Sequence, residues 1–230
     1  MFKNIKVIGF DADDTLWVNE PYFRETEQQF CSLLKDFMPE DQASKILFEI
    51  EIQNLELYGY GIKAFILSLI ETSIKISQGK ISSELIEKII QLGKDQLNKP
   101  VILLDHIEDV LIILSKQYKL IVATKGDLLD QERKLKKSGL EKYFHHIEIM
   151  SDKKESDYKK LLNHLEINSD EFVMIGNSLK SDILPVVNIG GKGIYIPFHT
   201  TWQHENISSD EIKSKNYIEI KSISETLTLF

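Results

Sequence analysis

Residues 5–15 read IKVIGFDADDT, and the reading of that stretch decides the fold. Residues 5–10 are a compact β-branched and aromatic run, the pattern of a strand buried on both faces of a parallel sheet. The run turns abruptly into acids, with Asp11, Asp13 and Asp14 following at once. A lone strand buries nothing, so its partners must come from elsewhere in the chain.

They are found beyond Pro100. Apolar runs at 120–123, 147–150, 172–175 and 193–196 read as strands. Helical patterns at 106–117, 128–138 and 155–165, and a short one from near Pro185 to Gly190, separate them. This alternation predicts an α/β fold, a doubly wound parallel sheet covered on both faces. From residue 21 to about 97 the texture differs: apolar residues recur at helical spacing, interrupted at Pro39, at 59–61 and at 79–83. Four helices and no strand are expected there. The expected organisation is a core of residues 1–16 and 99–230 interrupted by a helical insertion, residues 17–98. The stretch from residue 208 onward is polar, with an edge strand expected at 217–220.

Composition bounds the partners. The 230 residues are 42% hydrophobic and 28% charged, with a formal net charge of −8. That excess argues against a general nucleic-acid or membrane-surface binder, because both partners are anionic. It leaves room for a phosphorylated substrate, since a bound cation and local amides can reverse the field in one cleft. Cys31 is the one cysteine, which forbids an internal disulfide and suits a reducing compartment. No signal-peptide pattern precedes the acids, and the longest apolar runs, such as 64–70, are too short to cross a bilayer. A cytoplasmic protein is expected; oligomeric state is not legible.

Doubly wound sheets bind ligands beyond the carboxyl ends of their strands. Past the first strand come Asp11, Ala12, Asp13, Asp14 and Thr15. Past 120–123 come Thr124, Lys125, Gly126 and Asp127; past 147–150 come Ser151, Asp152, Lys153 and Lys154. Past 172–175 lies the stretch from Gly176 and Asn177 to Asp182. Carboxylates, a hydroxyl, ammonium groups and an amide all fall where a site belongs.

In order, these segments resemble the four signature motifs of the haloacid dehalogenase-like superfamily: DxDxT, a closing threonine, a lysine five residues before Tyr158, and GDxxxxD with Asn177 in the first acidic position. The helical insertion sits where that family carries a helical cap. The resemblance implies a Mg²⁺-dependent phosphatase acting on a small phosphorylated metabolite. Asp11 is then the nucleophile, giving an aspartyl-phosphate, and Asp13 the acid and base. Thr124, the backbone amide of Lys125 and Lys153 hold the phosphoryl oxygens. Asp11, the main-chain carbonyl of Asp13, and Asn177 or Asp182 hold Mg²⁺, with the choice between the last two left open. Asn177 carries no charge, so weaker metal affinity is expected.

Plainer readings compete. An acidic turn would explain residues 11–15 alone, and Thr124 could be a helix cap, although Asp127 is better placed to cap that helix. Lys154 rivals Lys153. Thr15 reads as a loop brace, Asp14 as a solvated acid, and the lysine-rich 134–137 as a solvated helix face. His145, His146, His199 and His204 lack zinc spacing. The rival functions are a dehalogenase of the same superfamily, which needs neither a metal nor Asp13, a phospho-acceptor module of the receiver type, and a binding-only relative.

Overall fold

The computed structural model describes Phe2, residues 4–207 and residues 216–230. The polar stretch expected from residue 208 therefore lies, as far as residue 215, outside the described residues. Two compact units emerge: one comprises residues 1–20, 101–125 and 131–230, the other residues 21–100 and 126–130.

The first unit is a six-stranded sheet of β1 (Val7–Phe10), β2 (Lys119–Lys125), β3 (His146–Met150), β4 (Phe172–Gly176), β5 (Lys192–Tyr195) and β6 (Tyr217–Glu219). The order is β3-β2-β1-β4-β5-β6 and every pairing is parallel. Strand β1 is central because its side chains tolerate burial on both faces. Ile8 and Phe10 join one apolar cluster with Ile107, Val110 and Leu111, while Val7 joins the other with Tyr158, Leu161 and Leu162. Gly9 is needed between them: a Cβ there would meet the Phe172 ring at 2.7 Å. Phe10 pairs with Val122 on one side and Ile175 on the other, so the strand ends that follow are level with one another.

Chain order crosses over at β1, which lies between β2 and β4; this is the switch point at which a crevice forms beyond the strand ends. Three helices of the expected alternation are present: Ile107–Leu114, Leu128–Ser138 and Glu155–His164. The fourth, expected from near Pro185 to Gly190, differs. It begins not near Pro185 but with a wide π-type turn, Leu179–Ile183, that runs into Leu184–Asn188. The Ser178 hydroxyl accepts from the Ser181 N–H and caps that turn, which no apolar periodicity announces.

The second unit holds helices Glu20–Leu33, Glu40–Tyr58, Ile62–Ile76 and Ser83–Asn98, the first of them beginning at Glu20, where the first segment of the sheet unit ends. Their apolar stripes enclose Phe30, Leu34, Leu47, Phe65, Leu69 and Ile89. Gly93 lets Ile66 lie against its helix, since a Cβ would collide with that side chain. Asp127 Oδ1 accepts from the Asp130 N–H, a capping contact at the start of the next helix.

Trp17, which the sequence reading puts at the start of the insertion, is fully buried in the sheet unit. It bridges to Asp13 and to Leu103. Beside it, the Val18 N–H donates to Ile102 O at 2.9 Å and the Leu104 N–H to Leu16 O at 3.0 Å. Among the described residues no helix is long and apolar enough to cross a membrane.

Candidate active site

The Asp11 N–H donates to Ile175 O at 2.9 Å, so the ladder of β1 carries this residue to the sheet's carboxyl edge. Its side chain is buried. Lys153 Nζ lies 2.5 Å from Asp11 Oδ1 and 2.6 Å from Asp182 Oδ1. The Ser178 N–H donates to Asp182 Oδ2 at 2.9 Å. Asp182 occupies the space above Gly176, where any Cβ would collide with its carboxyl group.

Two carboxylates thus share one ammonium out of water. Burial, and then the charge of Asp182, push the Asp11 carboxyl up from 3.8 to about 7 against the pull of Lys153. Burial opposes the charge on Lys153 too, but Asp11 and Asp182 outweigh it and hold the ammonium well above the ordinary lysine value. Tyr158, five residues on, donates to Ser181 O at 3.0 Å and ties the helix bearing it to the turn bearing Asp182. Lys154 points elsewhere, with its Nζ 3.0 Å from Asp152 and exposed.

On the other side of Asp11, Thr15 Oγ1 donates to Asp11 Oδ2 at 3.1 Å. One end of the Asn177 amide stands 3.2 Å from Asp11 Oδ2, 3.2 Å from the main-chain oxygen of Asp13 and 3.1 Å from Thr15 Oγ1. With nitrogen turned to these groups, the amide hydrogen-bonds to them. With oxygen turned to them, it completes a set of carboxylate, carbonyl and amide oxygens that repel one another unless a cation lies among them. That is the hard, partly neutral donor set Mg²⁺ accepts. No group of three or more His, Cys, Asp or Glu side chains converges on a metal position among the described residues, as expected where two of the three donors are of other kinds.

Asp13 faces a different set of partners. Trp17 Nε1 donates to its Oδ1 at 2.8 Å, Lys134 Nζ to Oδ1 at 2.6 Å, and Gln131 Nε2 to Oδ2 at 2.8 Å. The lysine-rich face is therefore not wholly solvated. Lys134 stands one turn beyond Gln131, and the helix turns both toward the strand ends. Asp14 is no solvated acid either. It adopts the left-handed conformation (φ 61°), is buried, and accepts from the Asn19 and Glu20 N–H groups. Burial pushes its carboxyl up to about 8.

Thr124 is buried and accepts from Gln131 Nε2 at 3.1 Å. The Lys125 side chain is engaged away from Asp11: its Nζ bonds Ser181 Oγ at 2.9 Å and Glu205 Oε1 at 2.7 Å. Glu205 also accepts from the Ser178 and Ser181 hydroxyls. Burial would raise its carboxyl, but Lys125 and these donors hold it down at about 2. Sequence reading missed Gln131, Lys134, Ser178, Ser181 and Glu205. Ser178 and Ser181 had one signal, their place between Asn177 and Asp182 past the fourth strand, and Gln131 and Lys134 another, a three-residue spacing on the helix that follows Thr124.

A family model described as haloacid dehalogenase-like hydrolase matches residues 5–190. The chain belongs to this family. A haloacid dehalogenase-like family hydrolase from Xanthomonas campestris is 34% identical over 98% of this chain and 90% of its own, with a TM-score of 0.87. More distant members share the fold. A predicted phosphoglycolate phosphatase from Haemophilus somnus is 17% identical (99% and 98% covered, TM-score 0.68). A 2-haloacid dehalogenase from Pseudomonas syringae is 19% identical (98% and 97% covered, TM-score 0.66). Among curated proteins none matches. In this hydrolase, then, the four-helix segment follows the first strand; Lys153, Thr15 and Asn177 stand against Asp11, with Asp182 joined through Lys153, while Asp13, Thr124 and Lys125 turn to other partners.

Proposed function

We propose that this hydrolase is a Mg²⁺-dependent phosphatase of small phosphorylated metabolites working through an aspartyl-phosphate on Asp11. One observation carries the reading: Asp11 Oδ2, the Asp13 carbonyl and the Asn177 amide crowd together as a donor set suited to a hard cation. Such an ion neutralises phosphate charge, without which one anion does not attack another. Attack on carbon in a haloacid needs no such set.

The residues divide the work. Asp11 attacks phosphorus, and Lys153, held by two carboxylates, keeps it oriented and faces the incoming phosphoryl oxygens. Thr124 and the Lys125 amide supply further donors to those oxygens, a preorganised clamp. Asp13 gives a proton to the leaving alcohol and takes one from the water that cleaves the intermediate. Asn177 is favoured over Asp182 as the direct metal ligand, because its amide stands 3.2 Å from both Asp11 Oδ2 and the Asp13 carbonyl oxygen.

Purified protein should hydrolyse p-nitrophenyl phosphate with Mg²⁺ and lose that activity in EDTA or as Asp11→Asn. Full activity in EDTA, or halide release from 2-chloropropionate in its place, would overturn the reading in favour of a dehalogenase.

A further inference from the structure

Asp13 carries more donors than a mobile acid needs, and they are unequally committed. Oδ1 receives two, the indole N–H of Trp17 and the ammonium of Lys134. Trp17 is fully buried and its ring cannot swing away; Lys134 is also held by Asn19 Oδ1 at 3.2 Å. Among the described residues, Oδ2 receives Gln131 Nε2 alone. That nitrogen has two other acceptors, Thr124 Oγ1 at 3.1 Å and Lys125 O at 2.7 Å. Gln131 can therefore release Oδ2 and keep its hydrogens bonded, whereas freeing Oδ1 would part the buried Trp17 indole N–H from its acceptor and break the Lys134 ion pair. A stranded buried donor is costly. The Gln131 amide is evidently turned for the sake of its nitrogen, because its buried Oε1 has no partner among the described residues.

We infer that Asp13 works through Oδ2, with Oδ1 a fixed handle, and that Lys134 and Trp17 are the positioning residues that grip it. The inference rests on the phosphatase reading. In the first step the proton on Oδ2 passes to the leaving oxygen as its bond to phosphorus breaks, that oxygen keeping the electron pair, while Asp11 forms the new P–O bond. In the second, water attacks phosphorus, its proton returns to Oδ2, and the bond to Asp11 breaks. Neither Lys134 nor Trp17 exchanges a proton. They keep Oδ2 pointed where both transfers occur, and misplacement by an ångström is enough to cost such a step heavily.

The test compares phenyl phosphate with p-nitrophenyl phosphate, similar in shape but differing in how much the departing oxygen needs a proton. The parameter is kcat/KM with Mg²⁺, which reports phosphoryl transfer to Asp11 and not the later hydrolysis. Lys134→Gln and, separately, Trp17→Phe should each lose roughly tenfold or more on phenyl phosphate but only about threefold on the nitrophenyl ester, a fraction of what a whole acid catalyst contributes. Lys134→Arg, which can still donate to Oδ1, should recover much of the loss. Trp17→Phe keeps the buried ring and drops only the N–H, so it reports even if the lysine variant is poorly folded. Equal losses on both esters in the two variants, or no loss on phenyl phosphate, overturn the inference and leave the phosphatase reading standing. A native protein inactive on both esters overturns that reading, and the inference with it.

Discussion

Replacing Asp11 by asparagine should stabilise the metal-free fold while it removes the proposed nucleophile, and the gain should depend on pH. Two buried carboxylates share the Lys153 ammonium, and the Asp11 carboxyl stands at about 7 against 3.8 for a free aspartate. Between those values the folded protein holds a proton that the unfolded chain has released. The stability this provides is complete below the window, falls as pH rises through it, and is gone above it. At about 1.4 kcal/mol per unit, ionised Asp11 costs the fold roughly 4 kcal/mol at pH 8. Asparagine avoids that cost but is a weaker acceptor for Lys153, a loss of about 1 kcal/mol. The net gain of roughly 3 kcal/mol corresponds to about 6–12 °C in Tm for a chain of this size. Thermal unfolding in EDTA at pH 8 and pH 4 measures it. By pH 4 the gain should vanish: Asp11 is then protonated in the fold and near its 3.8 midpoint in the unfolded chain, so the remaining cost is about 0.6 kcal/mol and no larger than the lost acceptor strength. Asp14 contributes with the same sign to both proteins and cancels. Mg²⁺ should narrow the gap by stabilising the native carboxylate. An asparagine variant that melts at or below the native temperature at pH 8, or a gain of equal size at both pH values, would refute this account of the buried triad.

Lys153→Met should do the reverse, leaving Asp11 and Asp182 buried without their cation; a loss of about 3–5 kcal/mol in urea unfolding at pH 8 is expected, and a smaller loss at pH 4. Glu205 gives stability that is present above pH 4.5 and lost as pH falls toward about 2. Glu205→Gln should therefore flatten the acid limb of a stability–pH curve by roughly 3 kcal/mol, worked from the same linkage. Gly176→Ala puts a methyl group where the Asp182 carboxyl lies. It should depress Mg²⁺-dependent turnover and lower the Tm together, with overpacking worth about 1–3 kcal/mol.

Most of the sheet was legible in the sequence because its strands are continuous apolar runs, and such runs have few alternative uses. Asp11 could be placed by its position just past a strand, and Thr124 by its place at the end of one, since β2 runs two residues beyond the apolar run that announces it. The Lys153 and Lys154 pair could not be separated by composition, only by the five-residue step to Tyr158, which fixes which ammonium turns inward. Gln131 and Lys134 are another matter. A run of lysines on a helix looks solvated, and Lys134 faces Asp13 only because that helix is rotated against a strand more than a hundred residues away in sequence. Glu205 comes from a loop after β5, where nothing local marks a carboxylate that will sit on two hydroxyls and Lys125. Asp14 read as solvated because sequence does not reveal a left-handed residue whose carboxylate turns back on the backbone ahead of it.

The short ladder at Leu16 to Val18 and Ile102 to Leu104 has a use beyond holding Trp17. It brings together the points where the chain leaves the sheet unit and returns to it, so that from the sheet's side the intervening helices are one closed loop. Closing a loop costs entropy that grows only slowly with its length. The clasp makes the span between Val18 and Ile102 an exchangeable module: a shorter or longer segment grafted there would meet the same ends in the same register. The strand ends and whatever the clasp encloses can then change on separate schedules.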